Sequence, residues 1–172
     1  MPAHSYTIAQ RLKTILEELV ADVSSDLDNA SYTTVSRTAM RPSVRYRKRR
    51  ASRGREDEGL MTIEEGISII PMEPVKVPGT NERDGVGYRF LVALADGTLT
   101  DEIGPEWPIP IWEQAIRQRL NNKRMGSLAL DDGCEQRTSV EPGELPNWAK
   151  LEDGIDASFL VVTEYVRESR TS

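Results

Sequence analysis

The stretch Ala157-Ser-Phe-Leu-Val-Val-Thr-Glu-Tyr-Val166 limits the fold more than any other part of the chain. Read at period two, Phe159, Val161 and Tyr165 form one row and Leu160, Val162 and Val166 the other, so both faces are apolar. A strand of that kind is buried on two sides. Whatever sheet contains it needs one cover above and another below.

A second strand is spelled by Val86, Tyr88, Phe90, Val92 and Leu94, with Gly87, Arg89, Leu91 and Ala93 in the alternate row. One face is wholly apolar, which gives it a central place. Asn81 to Gly85 reads as a turn cluster before it, strongest at Asp84-Gly85, and Asp96-Gly97 ends it.

Two helices offer cover. Between residues 6 and 23, Ile8, Leu12, Ile15, Leu16, Leu19, Val20 and Val23 recur at helical spacing, with Ser5 or Thr7 as the cap and a turn-rich exit from Asp26 to Ser31. In Pro108 to Leu120, Pro110 suits the first turn, and Trp112, Ala115, Ile116 and Leu120 make an apolar stripe. Glu113 and Arg117 stand four apart in the favourable order, and Asn121-Asn122 is suited to the exit.

The other segments are weaker in pattern. Tyr32 to Thr38 is rich in β-branched residues and reads as a strand, which Arg41 to Tyr46 continues or pairs with. Leu60 to Ile70 reads as one strand with Met61, Ile63, Glu65, Ile67 and Ile69 on one side. Pro71, Pro74 and Pro78 forbid a central strand and point to an extended edge or arm over residues 71–84. Turns at Asp131-Asp132-Gly133 and Glu141-Pro142-Gly143 bracket a short strand, Cys134 to Val140, and Glu144 to Asp156 reads as loop anchored by Trp148. The order is α+β: a mostly antiparallel sheet with two helices packed on one face, plus extended loops or arms. With both helices on one face, the other face is expected to meet a second subunit.

At 172 residues the chain suits a single domain, with residues 47–59 as a basic mobile loop and residues 71–84 as a Pro-rich arm. No run of eighteen apolar residues occurs, so no membrane-spanning helix is expected. Met1-Pro-Ala-His-Ser lacks the pattern of a secretory signal, and the single Cys134 allows no internal disulfide, which suits a reducing compartment.

Charge is distributed unevenly. Nine Lys/Arg and no acid lie between Arg37 and Arg55, leaving thirteen basic residues against 28 acidic ones elsewhere, a balance of −15. Within that run Arg45, Arg47, Lys48, Arg49, Arg50, Arg53 and Arg55 are the candidate electrostatic contacts, either to DNA phosphates or to the acidic body of a neighbouring subunit. The adjoining Glu56-Asp57-Glu58 weakens the local potential and favours the second choice. Trp112, Ile116, Leu120, Trp148, Phe159, Val161 and Tyr165 are the candidate core or interface anchors.

The chain is poor in catalytic groups. His4 is its one histidine, so no Ser-His-Asp or Cys-His arrangement can be assembled, and Cys134 reads as a small apolar residue. The doublets Glu64-Glu65, Asp101-Glu102, Asp131-Asp132 and Glu152-Asp153 sit mainly beside Gly or Pro, where acids build turns. Gly85-Val-Gly87 leads into a strand and so fails as a phosphate loop. The expectation is a protein that is not an enzyme, with no cofactor and no metal.

The helix Ile8-Ala-Gln-Arg-Leu12 to Leu19, the strand with Val35-Ser-Arg37, the strand Tyr88 to Leu94, the helix Trp112-Glu-Gln-Ala-Ile-Arg117 to Leu120 and the final strand Phe159 to Val166 follow one another in an order that resembles the tail-terminator proteins of tailed bacteriophages. The resemblance implies a structural virion protein of the head-to-tail junction, assembled in the host cytoplasm. It implies a hexameric ring that caps the tail tube, joins it to the head connector or other neck proteins, and lets DNA pass through its channel. The alternative is a small nucleic-acid-binding protein that uses the basic 37–55 stretch.

Overall fold

The computed structural model describes residues 4–29, 42–47, 60–77, 83–96, 108–121 and 135–169. In chain order these form α1 (His4–Asn29), β1 (Val44–Tyr46), β2 (Met61–Ile63), β3 (Gly66–Pro71), β4 (Val75–Val77), β5 (Arg83–Asp96), α2 (Pro108–Leu120), β6 (Glu135–Pro142), β7 (Ala149–Leu151) and β8 (Asp156–Ser169). The strand expected at Tyr32 to Thr38, the turn at Asp131 to Gly133 and Cys134 lie outside the described residues.

The fold is α+β. Its main sheet runs β1-β3-β5-β8-β6, with β4 also on β5; β1 lies parallel to β3 and every other pair is antiparallel. The centre is the β5–β8 ladder, in register from Arg83 opposite Ser169 to Asp96 opposite Asp156. Period two then sorts the side chains. Phe90, Val92, Leu94, Leu160, Val162 and Val166 face the helices, where Ile8, Leu12, Ile15 and Leu16 of α1 and Ile109, Trp112, Ile116 and Leu120 of α2 bury them. A hydrogen bond from Ser158 Oγ to Glu113 Oε2 (3.0 Å) ties α2 to the start of β8, while Arg117 Nη2 binds Glu113 Oε1 at 3.1 Å.

The opposite face, expected to meet a second subunit, is covered in part by strands of the same chain. β2 and β7 form a parallel two-stranded ribbon, Met61 to Ile63 opposite Ala149 to Leu151. Ile63, Ala149, Met61 and Trp148 pack on Ala93, Ala95, Leu91, Ile70 and Val161. The chain therefore covers much of its own second face, and residues 160–164 of β8 are all buried. The segment expected to be loop, Glu144 to Asp156, supplies β7, and Trp148 anchors it as expected.

One glycine makes this possible. Gly66 has φ of +118°, and a Cβ there would stand 2.9 Å from the Ser43 carbonyl oxygen. That backbone is open only to glycine, and it turns the chain from the ribbon into the main sheet. The segment Leu60 to Ile70 is thus two strands: Met61 and Ile63 serve the ribbon, while Ile67 and Ile69 face the helices.

The Pro-rich segment differs from an arm in its described part. Pro71 ends β3, and Val75 to Val77 return as an edge strand on Gly85 to Gly87. A Cβ on Gly87 would lie 2.8 Å from Val75 Cγ2, so the missing side chain admits β4. Gly85 is paired on both sides, with Val77 and Arg167, and the turn propensity of Asp84-Gly85 gives way to the ladder. Similarly, α1 begins at His4, ahead of Ser5 and Thr7, and continues through Asp26 to Asn29. Among the described residues no helix is long and apolar enough to cross a membrane.

Gly66→Ala tests the crossing between sheets. Left-handed strain plus a backbone clash is expected to cost about 2 kcal/mol or more in urea unfolding. Thr62→Ala, four residues earlier in the ribbon, is expected to cost less.

Candidate functional site

The basic run enters the structure on β1. Alternation turns Val44 toward the helices and places Arg45 and Arg47 on the ribbon side. There Arg45 Nη1 meets Glu64 Oε2 at 2.9 Å, and Arg47 Nη1 donates to the Thr62 carbonyl. Both arginines therefore tie β1 to the ribbon strand β2 and its exit. The Arg45 pair is half exposed, 52% on each side chain, and contributes little to stability. Arg47 is more deeply set and its backbone N–H also binds the Ile69 carbonyl at 2.8 Å, so this residue belongs to the sheet edge rather than to a loop. Lys48, Arg49, Arg50, Arg53 and Arg55 lie outside the described residues.

The seven candidate anchors divide between the two layers. Trp112, Ile116 and Leu120 are buried on the helix side. Trp148, Phe159 and Val161 belong to the ribbon side, and half-buried Tyr165 lies against Gly87. All seven are thus engaged inside the chain.

At the end of the sheet where β3 begins and β5 ends is a small cleft of about 20 Å³, lined by Pro42, Gly66, Ile67, Leu94, Ala95, Asp96, Ile109 and Trp112. It has room for a molecule the size of water. Asp96 in it is buried and stands opposite Asp156 in the ladder. No group of three or more His, Cys, Asp or Glu suited to a metal ion occurs among the described residues.

The most unusual side chain is one that the sequence reading passed over. Glu164 falls in the row of Leu160, Val162 and Val166 and so points under the helices, fully buried. Its in-register neighbours are Tyr88 on β5 and Thr138 on β6. The buried Thr138 hydroxyl donates to Oε2 at 2.5 Å, while Oε1 has no hydrogen-bond partner among the described residues. Burial outweighs that hydrogen bond and lifts the carboxyl from its ordinary 4.5 to about 7. The clue was present in the alternation: counting by two from Leu160 reaches Glu164.

Comparison with known protein families, with curated proteins and with solved structures returns no match.

The raised carboxyl sets a pH dependence. Below pH 4.5 both the folded and the unfolded chain hold this proton; between 4.5 and about 7 the unfolded chain releases it first. Stability from Glu164 is therefore fully present below 4.5 and is lost as pH rises to about 7. The loss amounts to about 3 kcal/mol. Urea unfolding at low and high pH is expected to show that loss in the wild-type chain relative to Glu164→Gln, whose amide does not titrate.

Proposed function

We propose that this chain is a structural virion protein of the head-to-tail junction of a tailed bacteriophage. It forms a ring, hexameric in the family it resembles, that caps the tail tube and joins it to the head connector. The observation that carries the reading is the order of elements around one sheet. Ile8 to Leu19 lie on α1, Tyr88 to Leu94 on β5, Trp112 to Leu120 on α2 and Phe159 to Val166 on β8. Val35 to Arg37 fall outside the described residues. The warrant is one of layout, since a fold by itself does not fix function.

Because the chain covers much of its own second sheet face, this reading puts the subunit contact elsewhere. A closing ring needs two different, complementary surfaces on each copy. The flanks offer opposite charge: the basic run continues beyond Arg47, and Glu141, Glu144, Glu152, Asp153 and Asp156 are exposed where β6 ends and β8 begins. In this reading the basic run of one copy docks on the acidic flank of the next, giving assembly a salt dependence. The ring is assembled in the host cytoplasm, and DNA passes through its channel in the virion.

Mass photometry and negative-stain microscopy of the purified chain test this. The expected result is a ring-sized particle that dissociates as salt is raised, and that fails to form when Lys48, Arg49 and Arg50 become Glu. Single copies or dimers that bind duplex DNA, and lose that binding with the same changes, would replace this reading with the nucleic-acid-binding alternative. Arg47 is left intact in these variants because it holds β1 to the ribbon.

A further inference from the structure

The placement of Glu164 does more than lower stability. Among the described residues β6 is the terminal strand in the sheet order and has one strand neighbour, β8, along Glu135 to Pro142. On the other side of Glu164 lies β5, held through all fourteen residues by β8 and flanked in turn by β3 and β4. Of the two strands beside the carboxyl, β6 is the one whose departure breaks a single ladder. The side-chain hydrogen bond to Glu164 comes from that same strand, through Thr138.

We propose that Glu164 and Thr138 form a proton-operated latch on the edge strand β6. With a proton on Glu164, the buried carboxyl is neutral, tolerates its unpartnered Oε1, and β6 stays closed. Without the proton, a carboxylate with one donor is left in an apolar layer, and parting β6 from β8 is the shortest way to hydrate it.

Among the described residues the surroundings offer few substitutes for water. From β5 the facing residue is Tyr88, and from β6 Thr138, followed on its own face by Val140. Arg89 and Arg137 stand in register with Thr163 and Tyr165, on the opposite face. On α2, Glu113 and Arg117 bind one another and Arg119 is exposed. On α1, Lys13 pairs with Glu17 at 3.3 Å, Glu18 and Asp22 are exposed, and half-buried Arg11 brings a buried Nε without a hydrogen-bond partner among the described residues. Arg11 is therefore the cation to control for.

Hydrogen exchange of the full chain, followed by mass spectrometry from about pH 4.5 to 8.5 and corrected for intrinsic rates, tests the latch. Residues 135–142 are expected to exchange faster than 83–96 at every pH, showing that β6 opens without global unfolding. Their protection is expected to fall about tenfold per pH unit, starting near 4.5 and levelling off near 7. Glu164→Gln abolishes the slope. Thr138→Val, which removes the hydrogen bond that favours the carboxylate, moves the levelling-off to higher pH, and Arg11→Gln leaves it in place. The proposal is overturned if 135–142 exchange no faster than 83–96, or if the slope is absent from the wild type or survives in Glu164→Gln. A slope removed by Arg11→Gln also overturns it, since Arg11 would then be the partner that matters.

Discussion

Everything in this structure answers to the ladder between β5 and β8. Both strands carry apolar side chains on both faces, so neither face of their pairing can be left to water. The two covers are of different kinds. On one side the stripes of α1 and α2 meet Phe90, Val92, Leu160 and Val162; on the other a ribbon of two three-residue strands closes over Leu91, Ala93 and Val161. The 13-residue α2 and the two-stranded ribbon gain their order from the surface they bury, and the amphipathic α1 draws most of its stability from the same packing. Core, ribbon and helices therefore form as one cooperative unit around the ladder.

The parts legible in the sequence are those with a sustained period. The stripe from Ile8 to Val23, the alternation from Val86 to Leu94 and the double apolar row at Phe159 to Val166 each repeat often enough to declare both type and orientation. The ribbon is illegible for the opposite reason. Met61 to Ile63 and Ala149 to Leu151 are each too short for any period, and their pairing joins residues far apart in the chain. The sequence rows of Met61, Ile63, Ile67 and Ile69 run on without a break, and only the backbone of Gly66 shows that the chain changes sheets there. The prolines were a sound guide to an edge, and the pairing of Val75 to Val77 adds that this edge is closed onto β5.

The candidate site was legible in its charge and not in its partners. A run of cations suggests a free surface, yet Arg45 and Arg47 reach Glu64 and Thr62 because alternation turns them to the ribbon side. Glu164 shows the reverse. A single acid inside an apolar strand looks like an interruption of the pattern, and it is instead a member of the inward row. Apolar anchors that composition would assign to an interface are likewise committed within the chain.

The claim on which this account rests is that a single copy shields both faces of its own ladder. Hydroxyl-radical footprinting of the chain, diluted until single copies dominate, measures that shielding residue by residue. Ile63, Ile70 and Leu91 on the ribbon side are expected to react as little as Ile69 and Phe90 beneath the helices, and to stay unchanged when the protein is concentrated. Strong labelling of the ribbon-side residues in dilute samples, lost on concentration while the helix side stays protected, would contradict the account and show that a neighbouring molecule supplies the second cover.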